Sequence, residues 1–252
     1  MRVLAVDAAT EACSVALLCD GDVLGRSIEA GRGNAQQLLS MVAELMAEAQ
    51  VHWSMLNGIA ASIGPGAFTG VRISVSVAQG LAFGAGLPVV PVTTLEAMAL
   101  QVLGGDSTRA IACLDARMGE VYWGCFAADA ARGLIAVGAP GVGPPDSVVA
   151  LPLTGGPADG PADGLAGGWG RGEPGGVPVR GIGRGFSAYP KLAERLGIRL
   201  DEPGSRALPN AREIARLGAL RFEAGAGLDP AELQPLYLRD KVALTEAERA
   251  AR

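Results

Sequence analysis

The chain has 252 residues, of which 49% are hydrophobic and 19% charged, and its formal net charge is −5; this balance is typical of one large or two small globular domains. The acidic charge disfavours a protein that binds nucleic acid through a basic surface of its own. The single histidine, His52, excludes metal sites built on two or three histidines, such as the HExxH site of zinc peptidases.

The sequence pattern of residues 2–103 predicts strands and helices in the order β-β-β-α-β-α-β-α. The strands are expected at 2–7, 12–19, 23–28, 58–63 and 88–92. The helices are expected at 34–50, 71–85 and 94–103. The turn Asp20-Gly21-Asp22 is typical of a hairpin, so the first three strands should form an antiparallel meander.

The second half begins with the same pattern as the first. Residues 110–115 (AIACLD) resemble residues 2–7 (RVLAVD), and both strands end in an aspartate, Asp115 and Asp7. Such a repeat predicts a duplicated domain, although so short a match also arises by chance. Further strands are expected at 119–126, 134–137 and 177–183, with helices near 186–196 and 210–224.

Glycine and proline are concentrated between residues 138 and 178, where PADG occurs twice. Such a segment cannot bury enough apolar surface to offset its loss of conformational entropy, so 138–178 is predicted to be a mobile insertion. We therefore expect domains at 1–104 and 105–209, the first completed by the helix near 210–224. An extended tail would follow over 225–252.

Localisation follows from the apolar segments. Asp7, Thr10 and Glu11 interrupt the apolar start of the chain, which argues against a secretion signal. No other segment approaches the roughly 18 uninterrupted apolar residues of a membrane span. We expect a cytoplasmic protein whose four cysteines are buried, reduced thiols.

A glycine-rich loop, Gly64 to Gly70 (GPGAFTG), joins a strand to a helix. Glycines tolerate positive φ and let the backbone approach another group closely at a helix N-terminus. The loop is not a Walker A motif, because Val71-Arg72 follows it in place of Lys-Ser/Thr. It either contacts an anion or a partner, or simply makes a tight turn from strand to helix.

Four residues form a candidate nucleotide site. Asp7 and Asp115 each end a buried strand, where a carboxylate either holds a cation or water beside a phosphate or caps the following turn. Gly183, within the run GIGRG, suits close approach to an adenosine, but a plain turn has the same appearance. Thr10 completes the set.

Two helical stripes are candidates for a protein interface. A stripe of small residues permits close approach of a second helix. Both stripes fit an ordinary hydrophobic core equally well. The candidate interface residues are Leu38, Met41 and Leu45 on the first helix and Ser74, Ala78 and Ala82 on the second.

Four segments in chain order carry a family resemblance: VLAVDAATEACSVALL, GPGAFTGVRISVSVAQGLAF, LDARMGEVYWGCF and YLRDKVAL. Together they resemble the TsaB (YeaZ) family of bacterial tRNA threonylcarbamoyladenosine biosynthesis proteins. The match runs from residue 1 to about 130 and from about 180 to 243. It implies an α/β, actin-like ATPase (ribonuclease-H-like) fold with two duplicated β-β-β-α-β-α domains, the second of them degenerate.

The resemblance also implies a role as a non-catalytic partner subunit with no cofactor. Such a subunit would bind the catalytic paralogue TsaD, together with the ATPase TsaE, and would pair with itself when alone. It would support threonylcarbamoyl transfer to the adenosine 3′ of the anticodon in tRNAs reading ANN codons, meeting tRNA only through the complex and no membrane. TsaD carries His-x-x-x-His for its metal. In this chain the two positions are Thr94 and Met98, and methionine is a poor ligand for such a cation; no metal site is expected.

An alternative is a self-contained ATP-dependent small-molecule kinase or ATPase of the same fold. Asp7, Asp115 and Gly183 would supply fragments of its site. Against it, the segment after Asp7 lacks the glycine that lets a loop wrap around phosphate, and Glu11 would repel phosphate. A zinc peptidase, the third possibility, is disfavoured by the single histidine.

Overall fold

The first sheet is built from the apolar strands at the start of the chain. In the computed structural model, which describes residues 1–29, 34–104, 107–149 and 179–239, this sheet has the strand order β3-β2-β1-β4-β5. The first three strands form the predicted antiparallel meander, and β4 and β5 run parallel to β1. Its strands are β1 (Arg2–Asp7), β2 (Ala12–Cys19), β3 (Asp22–Glu29), β4 (Gly58–Ser62) and β5 (Val89–Val92).

Helices cover both faces of this sheet, because successive strand residues point to opposite sides. Leu4 and Val6 pack with α1 (Asn34–Glu48) and α2 (Phe68–Ala85), whereas Val3 and Ala5 belong to the core on the other face. That second core contains α3 (Thr94–Leu100) and α7 (Ala211–Glu223). None of the helices in the described ranges combines the length and the hydropathy needed to cross a bilayer.

Local signals set the ends of these helices. Thr93 and Glu96 form a reciprocal capping box at the start of α3, with Thr93 Oγ1 accepting from the Glu96 amide at 3.1 Å. Asn210 caps α7 by accepting from the Arg212 amide at 3.0 Å. Gly86 ends α2 in the left-handed region, with φ of 65°.

The second sheet repeats the first in part. Its order is β10-β6-β7-β8, with β6 to β8 antiparallel and β10 parallel to β6. This reproduces the arrangement β4-β1-β2-β3, without a counterpart of β5 among the described residues, so the fold is a duplicated, actin-like (ribonuclease-H-like) α/β fold. The strands are β6 (Arg109–Arg117), β7 (Glu120–Asp129), β8 (Gly133–Ala136), β9 (Gly141–Gly143) and β10 (Val179–Ile182).

One predicted helix is two short ones. The helix expected at 186–196 is divided into α4 (Arg184–Ala188) and α5 (Lys191–Leu196). Pro190 precedes α5 and disfavours helical backbone at Tyr189, which has φ of −131° and ψ of 75°. A further short helix, α6 (Glu202–Arg206), was not expected; Asp201 caps it by accepting from the Gly204 amide at 2.7 Å.

The beginning of the predicted mobile insertion 138–178 is ordered, which corrects that prediction. Strand β9 pairs with β7, and Val148 is fully buried. Gly141 permits this because a Cβ there would overlap the indole of Trp123. The Arg195 guanidinium donates to the carbonyls of Pro145 and Val148, each at 2.8 Å. Residues 150–178 lie outside the described residues.

The segment after α7 runs back along the first sheet and then reaches the second. Leu228 exchanges two backbone hydrogen bonds with Val89 of β5, at 2.8 and 3.0 Å. Further on, the Leu236 amide donates to the Ile63 carbonyl at 2.8 Å, and Arg239 donates to the Ala116 carbonyl at 3.1 Å. The rest of the predicted tail, 240–252, lies outside the described residues, and the domain boundaries at 104 and 209 stay predictions.

Candidate functional site

The aspartates that end β1 and β6 make the same turn in both halves. Asp7 Oδ1 accepts from the Ala9 amide at 3.1 Å, and Asp115 Oδ1 accepts from the Arg117 amide at 2.8 Å. Each carboxylate therefore caps the turn that follows its strand, which is the structural alternative that the sequence left open. The shared turn also supports the duplication.

Asp7 lies beneath the surface, out of reach of a ligand. Its side chain is fully buried, and Oδ2 has no hydrogen-bond partner within the described residues. Burial raises the pKa of this carboxyl to about 6, although the Ala9 amide and the Ser62 hydroxyl act in the opposite direction. Ser62 Oγ in turn lies 3.1 Å from Thr94 Oγ1. A buried, incompletely satisfied carboxylate costs folding free energy at neutral pH.

The two halves enclose a cleft with a volume of about 490 Å³. Of the four predicted nucleotide-site residues, Thr10 and Asp115 line it, whereas Asp7 and Gly183 do not. The cleft walls come from the turn after β1, the start of α2, the turn after β6 and the segment following α7. They include Glu11, Phe68, Val71, Arg117, Arg184, Tyr237 and Arg239.

Gly183 serves internal packing rather than the cleft. It has φ of 117°, and a Cβ there would overlap the Cys113 carbonyl oxygen of β6. Its amide donates to the Gly204 carbonyl at 2.8 Å. The geometry matches the plain-turn alternative for the GIGRG run and offers no support for a contact with adenosine.

The glycine loop also approaches the chain itself. A Cβ at Gly66 would overlap the Ala9 carbonyl oxygen, and one at Gly70 would overlap that of Ala8. The Ala67 amide donates to the Ala9 carbonyl at 2.7 Å. The two glycines therefore let the start of α2 lie directly on the turn after β1, as the strand-to-helix alternative predicts.

Charged side chains connect the two halves across the cleft. Glu11 pairs with Arg117 at 3.1 Å and lies 3.9 Å from Arg184. Arg184 also pairs with Glu29 at 2.7 Å, and Arg117 with Asp115 at 3.5 Å. Neither arginine was predicted as a site residue, although both lie inside the motifs LDARMGE and GIGRG. The positive charge in those motifs is the signal that would have indicated them.

Aromatic rings and arginines close one side of the cleft. The rings of Phe68 and Tyr237 have centroids 5.7 Å apart, and the Arg72 guanidinium lies 3.8 Å from the Phe68 centroid. Arg72 Nε donates to the Tyr237 hydroxyl at 2.8 Å. On the other half, Arg239 pairs with Glu120. The segment that carries Tyr237 and Arg239 thus joins the two halves.

Comparison with known proteins places this fold and sequence in a family. A family model described as "TsaD: tRNA N6-adenosine threonylcarbamoyltransferase" matches residues 28–161. The chain is 35% identical to "tRNA threonylcarbamoyladenosine biosynthesis protein TsaB" of Escherichia coli (strain K12) over 96% of both chains. The chain belongs to the TsaB (YeaZ) family.

Other TsaB-family relatives agree over the whole length. TsaB of Haemophilus influenzae is 30% identical, covering 96% of this chain and 95% of the relative. The solved structure "YeaZ from Pseudomonas aeruginosa" is 36% identical and superimposes with a TM-score of 0.77, covering 94% of this chain and 99% of that one. The family and the fold implied by the sequence resemblance are therefore confirmed.

Thr94 and Met98, the two positions that the sequence resemblance matched to the TsaD histidines, are part of the core. Thr94 is buried and bonded to Ser62, and Met98 is buried beside Gly183. Among the described residues, no group of three or more His, Cys, Asp or Glu side chains could hold a metal ion.

The six predicted interface residues are buried in the chain's own core, which corrects their assignment as contact residues. The apolar stripes were identified correctly, but they face the first sheet instead of a partner. Ser74, for example, accepts from the Ala8 amide at 2.7 Å. The buried residues are Leu38, Met41, Leu45, Ser74, Ala78 and Ala82.

The solvent-facing side of α2 is unusually apolar, and α1 adds one large exposed apolar side chain. Phe83 of α2 is 84% exposed and Leu39 of α1 is 48% exposed. Arg72 is the single charged residue among the 18 residues of α2. We call this surface the α1–α2 face and define it by Leu39, Ser76, Gly80 and Phe83.

Proposed function

We propose that this chain is a non-catalytic partner subunit in tRNA threonylcarbamoyladenosine biosynthesis, binding the catalytic paralogue TsaD through the α1–α2 face. Membership of the TsaB family supports the pathway. The observation that supports the surface is the exposure of Phe83 on a helix that carries one charge. An exposed helix with so few charges is typical of a surface that a partner covers.

The α1–α2 face has the features of an interface core. Phe83 and Leu39 provide large apolar anchors, while Ser76 and Gly80, which are exposed on the same helix as Phe83, permit close approach of another helix. A stable interface of standard size removes roughly 1,200–2,000 Å² from solvent, which two helices of 15 and 18 residues can supply in large part. A second copy would use the same face when TsaD is missing.

The chemistry and the tRNA contact would belong to the other subunits. The net charge of −5 gives this chain little attraction for tRNA, so contact with the nucleic acid would come through the complex with TsaD and TsaE. The core positions of Thr94 and Met98 support a subunit that performs no metal-dependent transfer. We place the complex in the cytoplasm, where tRNA is modified.

Co-purification tests this proposal. A tagged wild-type chain expressed in its own cells should recover TsaD, whereas the double variant Leu39→Glu/Phe83→Glu should lose it. Because both side chains are exposed, the variant should keep the wild-type circular dichroism spectrum. Val149→Glu is the matched control, since Val149 is 55% exposed and lies in the second half.

Two outcomes would count against the proposal, and they differ. Recovery of TsaD by the double variant would reject the α1–α2 face but not the role. Failure of the wild-type chain to recover TsaD would reject the role itself. Isothermal titration with ATP and Mg²⁺ addresses the alternative enzyme, for which micromolar binding accompanied by turnover would be expected.

A further inference from the structure

The cleft holds an anion that the chain itself provides. Glu11 projects from the turn between β1 and β2, in the first half, and its two oxygens face arginines of the second half. Oε1 lies 3.1 Å from Arg117, and Oε2 lies 3.9 Å from Arg184. A carboxylate between two guanidinium groups occupies the position that a bound phosphate group would take.

Carboxylates accompany the three arginines that line the cleft in the described part of the chain. Arg117 has Asp115 beside it, Arg184 has Glu29, and Arg239 has Glu120. With Glu11 these acids outnumber the three arginines. An entering phosphate would therefore meet no net positive charge, and it would be repelled by Glu11 at close range.

We propose that Glu11 is a built-in occupant of an anion site formed by Arg117 and Arg184, where it excludes phosphate-bearing ligands and links the two halves of the fold. The site is latent: removing the Glu11 charge should uncover it for inorganic polyphosphate. The proposal depends on the cleft alone and does not require that the α1–α2 face binds TsaD.

The ion pairs that hold Glu11 are accessible to solvent, so its replacement should not unfold the protein. The Glu11 side chain is 48% exposed and that of Arg117 is 73% exposed. Pairs this exposed contribute little to stability. Glu11→Gln keeps the shape of the side chain and removes only the charge.

Titration with sodium tripolyphosphate tests the proposal. At low ionic strength, Glu11→Gln should bind it about tenfold more tightly than the wild type, because one like charge has been removed from the site. Glu202→Gln is the matched control: it removes the same charge from an exposed pair with Arg206 at 2.8 Å and should leave the affinity unchanged. Adding Arg117→Gln and Arg184→Gln to Glu11→Gln should abolish the gain.

Three results would overturn the inference. The first is equal affinity of wild type and Glu11→Gln, and the second is an equal gain in Glu202→Gln, which would indicate a general charge effect. The third is a gain that survives loss of both arginines. Circular dichroism melts of all variants, with Glu11→Ala as a second replacement, separate a lost site from a lost fold.

Discussion

Replacing Asp7 by asparagine should stabilise the protein, and the gain should depend on pH. Asp7 is fully buried, and its pKa is raised from 3.8 to about 6 by that burial. A difference of two units corresponds to about 3 kcal/mol of unfavourable free energy when the folded protein carries the ionised form. Asparagine removes the charge and keeps an oxygen that can accept from the Ala9 amide.

The direction in which stability changes with pH follows from proton linkage. Between pH 4 and 6 the folded state holds a proton at Asp7 that the unfolded chain has released, so stability falls as the pH rises through this window. Above pH 6 the cost is fully present, and below pH 4 it is absent. The advantage of Asp7→Asn should therefore reach at most about 3 kcal/mol at pH 7.5 and shrink towards zero by pH 4.

Urea denaturation followed by circular dichroism at pH 7.5, 6, 5 and 4 measures this difference. The matched control is Asp115→Asn, which keeps the same turn hydrogen bond in a partly exposed side chain beside Arg117 and removes no comparable burial cost. If Asp7→Asn is less stable than wild type at pH 7.5, or if its advantage is independent of pH, the argument from burial is refuted.

Two further predictions concern packing. Gly70→Ala should destabilise the protein by about 1–3 kcal/mol or more, because the added methyl group meets the Ala8 carbonyl. Gly80→Ala should instead stabilise it by up to about 1 kcal/mol, because the space around Gly80 is open and alanine has the higher helix propensity. The midpoints of urea denaturation check both predictions. Met41→Glu should unfold the protein by burying a charge, while Leu39→Glu should keep its melting temperature, and equal melting temperatures would contradict the burial of Met41.

Periodicity predicted the elements of this fold well because it reflects local burial. The continuous apolar run of β1 and the three-to-four spacing in α1 and α2 are visible in the sequence, and the structure confirms those elements. The same signal shows which side of a helix is apolar without showing what covers it. Met41 and Ala78 were assigned to a partner for this reason, whereas they pack on the chain's own sheet.

The arrangement of the cleft could not be predicted, because it depends on residues distant in sequence. Glu11 and Arg117 are 106 positions apart, and nothing in either local pattern specifies their contact. Gly141 illustrates a second limit, because a glycine within a glycine-rich segment is read from sequence as a sign of flexibility. In the structure, the indole of Trp123 occupies the space that a side chain at Gly141 would need.

The position of α7 has a consequence for synthesis on the ribosome. Ile214 and Leu217 of this helix cover one side of the first sheet, and the Ala211 amide donates to Ser14 Oγ across 197 positions of sequence. A nascent chain that has emerged only as far as residue 104 therefore lacks the part of the cover over Val3 and Ala5 that α7 supplies. The N-terminal half cannot complete its hydrophobic core on its own, and a fragment that ends at residue 104 should aggregate until residues 211–223 are supplied.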